Sequence, residues 1–289
     1  MAAIEANGIT IEYLEEGDGD PLLLVMGLAG QLIDWPQGFV DELIARDFRV
    51  IRFDNRDAGL STEFTAEPPS IMRIARALVL RRKLTAEYDL SDMAADAAGL
   101  LDGLGVESAH VVGMSMGGMI AQTLAIEHPR QVRSLTSVMS NTGDRRHGNP
   151  APSLIGKTLR RPTPTRDTAL DVGVELFQEI SGPTFDAAET RAEVRAAIER
   201  SYRPDGTARQ SAAILASPDR TPGLERLGVP TLVVHGLVDP LVRPSGGIAT
   251  AEAVPGSRLL MFNDMGHDLP HTRWSEMADA IRHNADRVS

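Results

Sequence analysis

The stretch Gly113-Met114-Ser115-Met116-Gly117-Gly118 constrains this chain more than any other. An apolar run, His110-Val111-Val112, leads into it. A helix-like run from Met119 to His128 leaves it and is stopped by Pro129. The expected local structure is strand, very tight turn, helix. In that context Gly-x-Ser-x-Gly is the pattern of a nucleophile elbow, a sharp turn that lifts one serine beyond the sheet edge in strained backbone. The glycines have a steric purpose, because a Cβ at Gly113 or Gly117 would collide with neighbouring backbone. A helix that starts directly behind Ser115 points its first free N–H groups to where an oxyanion would form. The same letters also fit a glycine-rich turn with an idle serine, so the rest of the chain must supply the partners.

Apolar runs of two kinds frame that turn. Ile9 to Leu14 alternates apolar and polar after the turn pair Asn7-Gly8, which predicts a half-exposed antiparallel strand. Leu22 to Met26 is continuously apolar, as in a strand buried on both faces of a parallel sheet. Further strands are expected at Arg49–Phe53, Val132–Met139, Val229–Val234 and Arg258–Phe262. Helices are expected over Gly38–Asp47, over Ser91–Leu104 with Ser91 as N-cap and Gly105 closing it, and from Trp274 to about Asn284. Strands alternating with helices give an α/β fold with a doubly wound, mostly parallel sheet.

The texture changes between Gly143 and Gly228. Pro150, Pro152, Pro162 and Pro164 break the chain, and helical patterns follow at Thr168–Ile180, Asp186–Tyr202 and Thr207–Ala216. The expected organisation is a core formed by residues 1–142 and 229–289, with a helical lid inserted at 143–228. A lid in that place excludes water and shapes a pocket.

Composition narrows the function classes. A net charge of −11 over 289 residues argues against a nucleic-acid surface, which needs a basic stripe. The basic run within Ile71–Lys83 (Arg73, Arg76, Arg81, Arg82, Lys83) reads as a solvated helix face rather than a membrane contact. There is no cysteine, so neither a disulfide nor a thiolate nucleophile is available. The first residues lack the basic and apolar regions of a signal peptide, and no apolar run is long enough to cross a bilayer. The expectation is a cytoplasmic protein without stable membrane association, of unassigned oligomeric state.

A serine hydroxyl is a poor nucleophile near neutral pH and needs a base, which in turn needs an orienting carboxylate. In open α/β sheets the ligand lies beyond the carboxyl ends of the strands. Leu28, Ser115, Asp239 and His267 all fall just past a strand end. Of seven histidines, His267 follows the last strand in a short glycine-containing loop, with His271 in reserve; His110 starts a strand and His235 sits in a packed turn. Asp239 follows the penultimate strand, whereas Asp264 and Asp268 are too near His267 in sequence to reach round its ring. The order Ser115, Asp239, His267 is the serine–acid–histidine order of one fold in particular.

Gly27-Leu28-Ala29-Gly30, straight after a buried strand, allows close backbone approach to a ligand or is a plain turn. Asp54 to Ser61 is read as a structural loop pinned by an Asp54–Arg56 pair. Met26, Met114, Met116 and Met265 flank the expected site and either line an adaptable apolar pocket or fill core. Metal-ligand and phosphate-loop motifs do not occur, so no cofactor is expected.

On these residues the sequence resembles the α/β-hydrolase-fold serine hydrolases. The elbow, the His235-to-Asp239 turn, the Met265-Gly266-His267 loop and Asp54-Asn55-Arg56-Asp57-Ala58-Gly59-Leu60-Ser61 carry the likeness over essentially the whole chain. Leu24-Val25-Met26-Gly27-Leu28, with Trp35 nearby, is most similar to carboxylesterases of the aclacinomycin methylesterase type. The resemblance implies an ester hydrolase with Ser115 as nucleophile, His267 as base and Asp239 as orienting acid. It implies an oxyanion hole from the amides of Leu28 and Met116. The candidate pocket residues are Met26, Trp35, Met114 and Met265; where the methionines line a pocket rather than fill core, the expected partner is a small-molecule ester with apolar groups. The family often has His-Gly where this chain has Met26-Gly27, a departure that spares a backbone donor. Lactonase, thioesterase, C–C hydrolase and cofactor-free haloperoxidase chemistry use the same three residues. A non-turnover binding protein on the same fold is the alternative of another class.

Overall fold

The structure is a computed structural model that describes residues 1–80, 84–161 and 164–288. Arg81, Arg82, Lys83 and Pro162, singled out above, lie outside the described residues. Eight strands form one sheet: β1 (Ala2–Ala6), β2 (Ile9–Glu16), β3 (Asp20–Val25), β4 (Phe48–Phe53), β5 (Ala109–Met114), β6 (Val132–Val138), β7 (Thr231–Gly236) and β8 (Arg258–Phe262). Their spatial order is β1-β2-β4-β3-β5-β6-β7-β8. The first two strands run antiparallel to their neighbours and all later pairs are parallel. Asn7 and Gly8 join β1 to β2, both at positive φ (49° and 76°), the backbone of a two-residue hairpin turn.

The helices are α1 (Gln37–Ile44), α2 (Ile71–Leu80), α3 (Leu90–Gly103), α4 (Met116–Glu127), α5 (Pro152–Arg160), α6 (Ala169–Ile180), α7 (Ala187–Arg200), α8 (Pro204–Ala216), α9 (Thr221–Leu224), α10 (Ser245–Ala253) and α11 (Trp274–Ala285). The apolar run of β3 shows how the sheet is sandwiched. Leu22 and Leu24 face α1 and α11 and join Phe39, Val40, Leu43, Met277 and Ile281. Leu23 and Val25 face the other way and join Met93, Ala97, Leu101 and Ile120 of α3 and α4. These four β3 side chains are fully buried, and each such burial is worth about 1.5–3 kcal/mol.

Helix α3 is capped two residues earlier than expected. Asp89, not Ser91, is its N-cap: the carboxylate accepts from the amides of Ser91 and Asp92, and Asp92 completes a capping box. The prolines between β6 and β7 also behave differently from simple breakers. Pro152 opens α5, Pro204 opens α8 and Pro222 lies in the first turn of α9, where a missing N–H costs nothing. Among the described residues this insertion contains helices α5 to α9 and no strand.

Buried ion pairs dock the insertion on the core. Arg209 of α8 donates to both oxygens of Asp57 at 2.9 Å, and Tyr88 donates to the same carboxylate at 2.6 Å. Arg200 of α7 pairs with Asp54 at 2.8 Å. The expected Asp54–Arg56 pair does not form. Arg56 instead forks onto Asp96 of α3 at 2.6 and 2.7 Å, and its guanidinium also lies over the rings of Phe64 and Tyr88, 5.1 and 5.0 Å from their centroids. Successive acids and bases of that loop point in different directions, so each is neutralised by another helix rather than by its neighbour.

Asp34, half-buried beside Asp54, Arg200 and Glu193, has a carboxyl pushed up to about 6 by burial, against a hydrogen bond from the Gln31 amide. A raised acid holds its proton in the folded state after the unfolded chain has lost it. Stability therefore falls as pH rises from about 4 to about 6, by on the order of 2 kcal/mol from this group. Asp34→Asn is expected to flatten the urea-unfolding stability profile in that window; an unchanged profile would contradict the assignment.

Candidate active site

The elbow is as tight as its glycines require. Ser115 lies at φ 56°, ψ −119°, directly before α4. A Cβ on Gly113 would stand 2.1 Å from the Gly117 carbonyl oxygen, and one on Gly117 only 1.9 Å from that of Val25. Three bonds hold the strained residue by its backbone. Its amide donates to Val138 O at 2.9 Å, and its carbonyl accepts from Ser140 Oγ at 2.8 Å and from Met119 N at 3.2 Å. Such strain persists only where the surroundings over-determine it.

Asp239 and His267 come together at the same end of the sheet. His267 Nδ1 donates to Asp239 Oδ2 at 2.7 Å, with both residues buried. The other oxygen of Asp239 accepts from the amides of Leu241 and Val242 at 2.8 and 2.9 Å. The carboxylate is thus fixed on one side by backbone and on the other by the imidazole. The two loops press together so closely that a Cβ on Gly236 would lie 2.0 Å from Met265 O. From the insertion, Ile180 O accepts the His267 amide at 2.7 Å. The ring's Nε2 is left for a second partner. Among the described residues Ser115 Oγ has no hydrogen-bond partner, His267 included. In free enzymes such bonds are often long and tighten on substrate binding.

The other candidate titratable groups have other duties. His235 donates from Nε2 to Val242 O at 2.7 Å, and burial lowers its pKa, so it is a neutral packing group. His110, at the far end of β5, bonds Ser134 and is held down to about 4 by burial. Asp268 accepts from Gly266 and Gly182 amides, and Asp264 pairs with Arg273, so both organise turns. His271 lies edge-on to Trp274 in a short turn of 3-10 helix (His271–Arg273).

The loop after β3 reaches the serine. A Cβ on Gly27 would be 3.2 Å from Ser115 Cβ and 3.8 Å from its Oγ. Leu28 is exposed, and among the described residues its amide has no acceptor; that of Met116, first in α4, has none within its helix. Of the four candidate pocket residues, Met26, Trp35 and Met265 are buried in the core cluster under α1 and α11, and Met114 is half-buried at its edge. Trp35 stacks on Phe39 with centroids 6.1 Å apart, which places its bulk in the core.

Residues 20–273 match the family model of the alpha/beta hydrolase fold. The chain belongs to the α/β-hydrolase-fold family. Within it, the chain is 30% identical over 293 residues to the rhodomycin D methylesterase DnrP of Streptomyces peucetius, covering 92% of each chain. It is 31% identical over 268 residues to 2-hydroxy-6-oxononadienedioate/2-hydroxy-6-oxononatrienedioate hydrolase 2 of Pseudomonas putida, covering 90% of this chain and 85% of that one. The crystal structure of the enol-lactonase from Burkholderia xenovorans LB400 superposes with a TM-score of 0.77 at 21% identity, over 99% of this chain and 100% of that one. At that identity the likeness speaks for the α/β-hydrolase fold alone. Among the described residues no helix is long and apolar enough to cross a membrane, and no cluster of metal-ligating side chains occurs.

Residues that sequence reasoning left without a role also stand here. Gln31 donates to Ala197 O and Ser201 O of the insertion and accepts from Arg200, and Gln210 of α8 bonds the loop after β3. No motif marks them; they are single polar letters whose partners lie more than 150 residues away.

Proposed function

We propose that this α/β hydrolase cleaves carboxylic esters through an acyl-enzyme on Ser115. The observation that carries the reading is the 2.7 Å bond between His267 and Asp239 at the sheet end that also bears the elbow serine. His267 Nε2 takes the Ser115 proton as Oγ attacks the ester carbonyl, and Asp239 holds the tautomer and stabilises the imidazolium. The amides of Leu28 and Met116 receive the oxyanion, Met116 with the help of the α4 dipole. His267 then protonates the leaving alcohol and activates water to release the acid. The helical insertion, which contacts the histidine loop through Ile180 and Gly182, serves as the lid.

The similarity to a methylesterase favours a small leaving alcohol on an otherwise apolar acid. The test is hydrolysis of p-nitrophenyl esters from acetate to laurate and of methyl esters of apolar acids, beside a Ser115→Ala control. Serine-dependent release of methanol is the expected result. A folded protein that labels with a fluorophosphonate yet turns over no ester would redirect the reading to lactone or C–C bond cleavage.

A further inference from the structure

We propose that Gln210, on helix α8 of the insertion, is a positioning residue that sets the conformation of the oxyanion loop. The assignment rests on the hydrolase reading above. Gln210 is fully buried although polar, and both ends of its amide are used. Oε1 accepts from the Ala29 amide at 2.8 Å, and Nε2 donates to Arg56 O at 2.7 Å. The second bond fixes which end of the side chain faces the loop, because only the oxygen can receive the Ala29 N–H.

Gly27-Leu28-Ala29-Gly30 is a four-residue turn closed by a bond from Gly30 N to Gly27 O at 3.2 Å. Ala29 lies at φ 62° and Leu28 has negative φ. That combination belongs to a type II turn, whose third position normally requires glycine. Alanine there favours the alternative turn, in which the central Leu28–Ala29 peptide is reversed. Gln210 opposes that reversal by accepting the N–H of this very peptide. The side chain thus holds, from the insertion, a loop whose Gly27 has little space for a side chain beside Ser115 and whose Leu28 amide faces the developing charge. The insertion is then part of the catalytic geometry, and the α8 end of it cannot lift without loosening the oxyanion hole.

Three variants test this: Gln210→Leu, Ala29→Gly and the double variant, read by p-nitrophenyl acetate kinetics and by the rate of fluorophosphonate labelling at Ser115. Gln210→Leu is expected to lower kcat and labelling rate by about 10- to 100-fold with little change in KM, less than outright loss of an oxyanion donor. Glycine adopts positive φ freely, so Ala29→Gly in the Gln210→Leu background should recover most of that loss. If Gln210 merely packs α8, glycine at position 29 recovers nothing, and the proposal is overturned. A Gln210→Leu enzyme as active as wild type overturns it as well. Should that variant not fold, Gln210→Met, which keeps the length of the side chain and lacks its amide, takes its place with the same expected loss; a loss in the folded variant that Ala29→Gly does not recover also overturns the proposal. A wild-type protein that neither labels at Ser115 nor turns over ester fails the hydrolase reading itself, and the assignment of Gln210 falls with it.

Discussion

Replacing Ser115 by alanine is expected to lower ester turnover by about three to six orders of magnitude and to leave the fold intact. The first part follows from chemistry, since no other group stands at the elbow to accept the acyl chain. The second follows from how the residue is held. Its strained backbone is secured by Val138 O, Ser140 Oγ and Met119 N, all bound to the amide or carbonyl of Ser115, which alanine retains. Among the described residues Oγ itself has no partner to lose. Alanine tolerates φ 56° no better and no worse than serine, so thermal unfolding of the variant should match wild type. Some hydrolysis survives such a change, because oxyanion donors and substrate binding still act on water. Near-wild-type turnover in the folded variant would remove Ser115 from the mechanism. A fall in turnover that tracks a fall in melting temperature would mean only that the elbow had collapsed.

What could be read in the letters was what depends on local pattern. The apolar run Leu22 to Met26 supplied β3 through Val25, because a strand buried on both faces needs no polar alternation. The elbow followed from two glycines whose absent Cβ atoms leave room for backbone within 2.1 Å. Asp239 and His267 were legible because each follows a strand end, and the fold carries all parallel strands to one edge. Three kinds of feature escaped. Helices α5 and α9 were hidden by prolines that open helices as well as break them. Helix α10 was hidden by Gly246 and Gly247, which are there for packing: a Cβ on Gly247 would lie 2.5 Å from His235 Nδ1. The partners of Asp54, Arg56 and Asp57 were hidden because they sit on α7, α3 and α8, and nothing in a run of alternating charge tells which way each residue turns. Strand β1 was not read, although the hairpin pair Asn7-Gly8 needs a strand on each side of it.

Asp239→Asn is expected to cost about 10⁴-fold in kcat, or about 5 kcal/mol, with KM little changed. The geometry dictates the orientation of the new amide. The amides of Leu241 and Val242 both donate to Oδ1, so an asparagine must keep its oxygen there. Its NH₂ is then turned to His267, 2.7 Å away in the wild type. An imidazole facing a donor must accept at Nδ1, which places its own proton on Nε2. That proton points where the base should take one from Ser115, so the serine is left un-ionised in the only arrangement the loop permits. His235 cannot substitute for the lost acceptor. Its Nε2 donates to Val242 O and lies 3.6 Å from the aspartate, and burial keeps it neutral. The measurement is steady-state kinetics together with fluorophosphonate labelling, which should slow in parallel. Asp268→Asn, whose carboxylate caps the Gly266 and Gly182 amides through one oxygen, is the comparison. Asparagine can accept both bonds, so this second variant should stay within about tenfold of wild type. If the two variants exchanged these outcomes, Asp268 would be the group that orients His267, and the short bond to Asp239 would be a structural contact only.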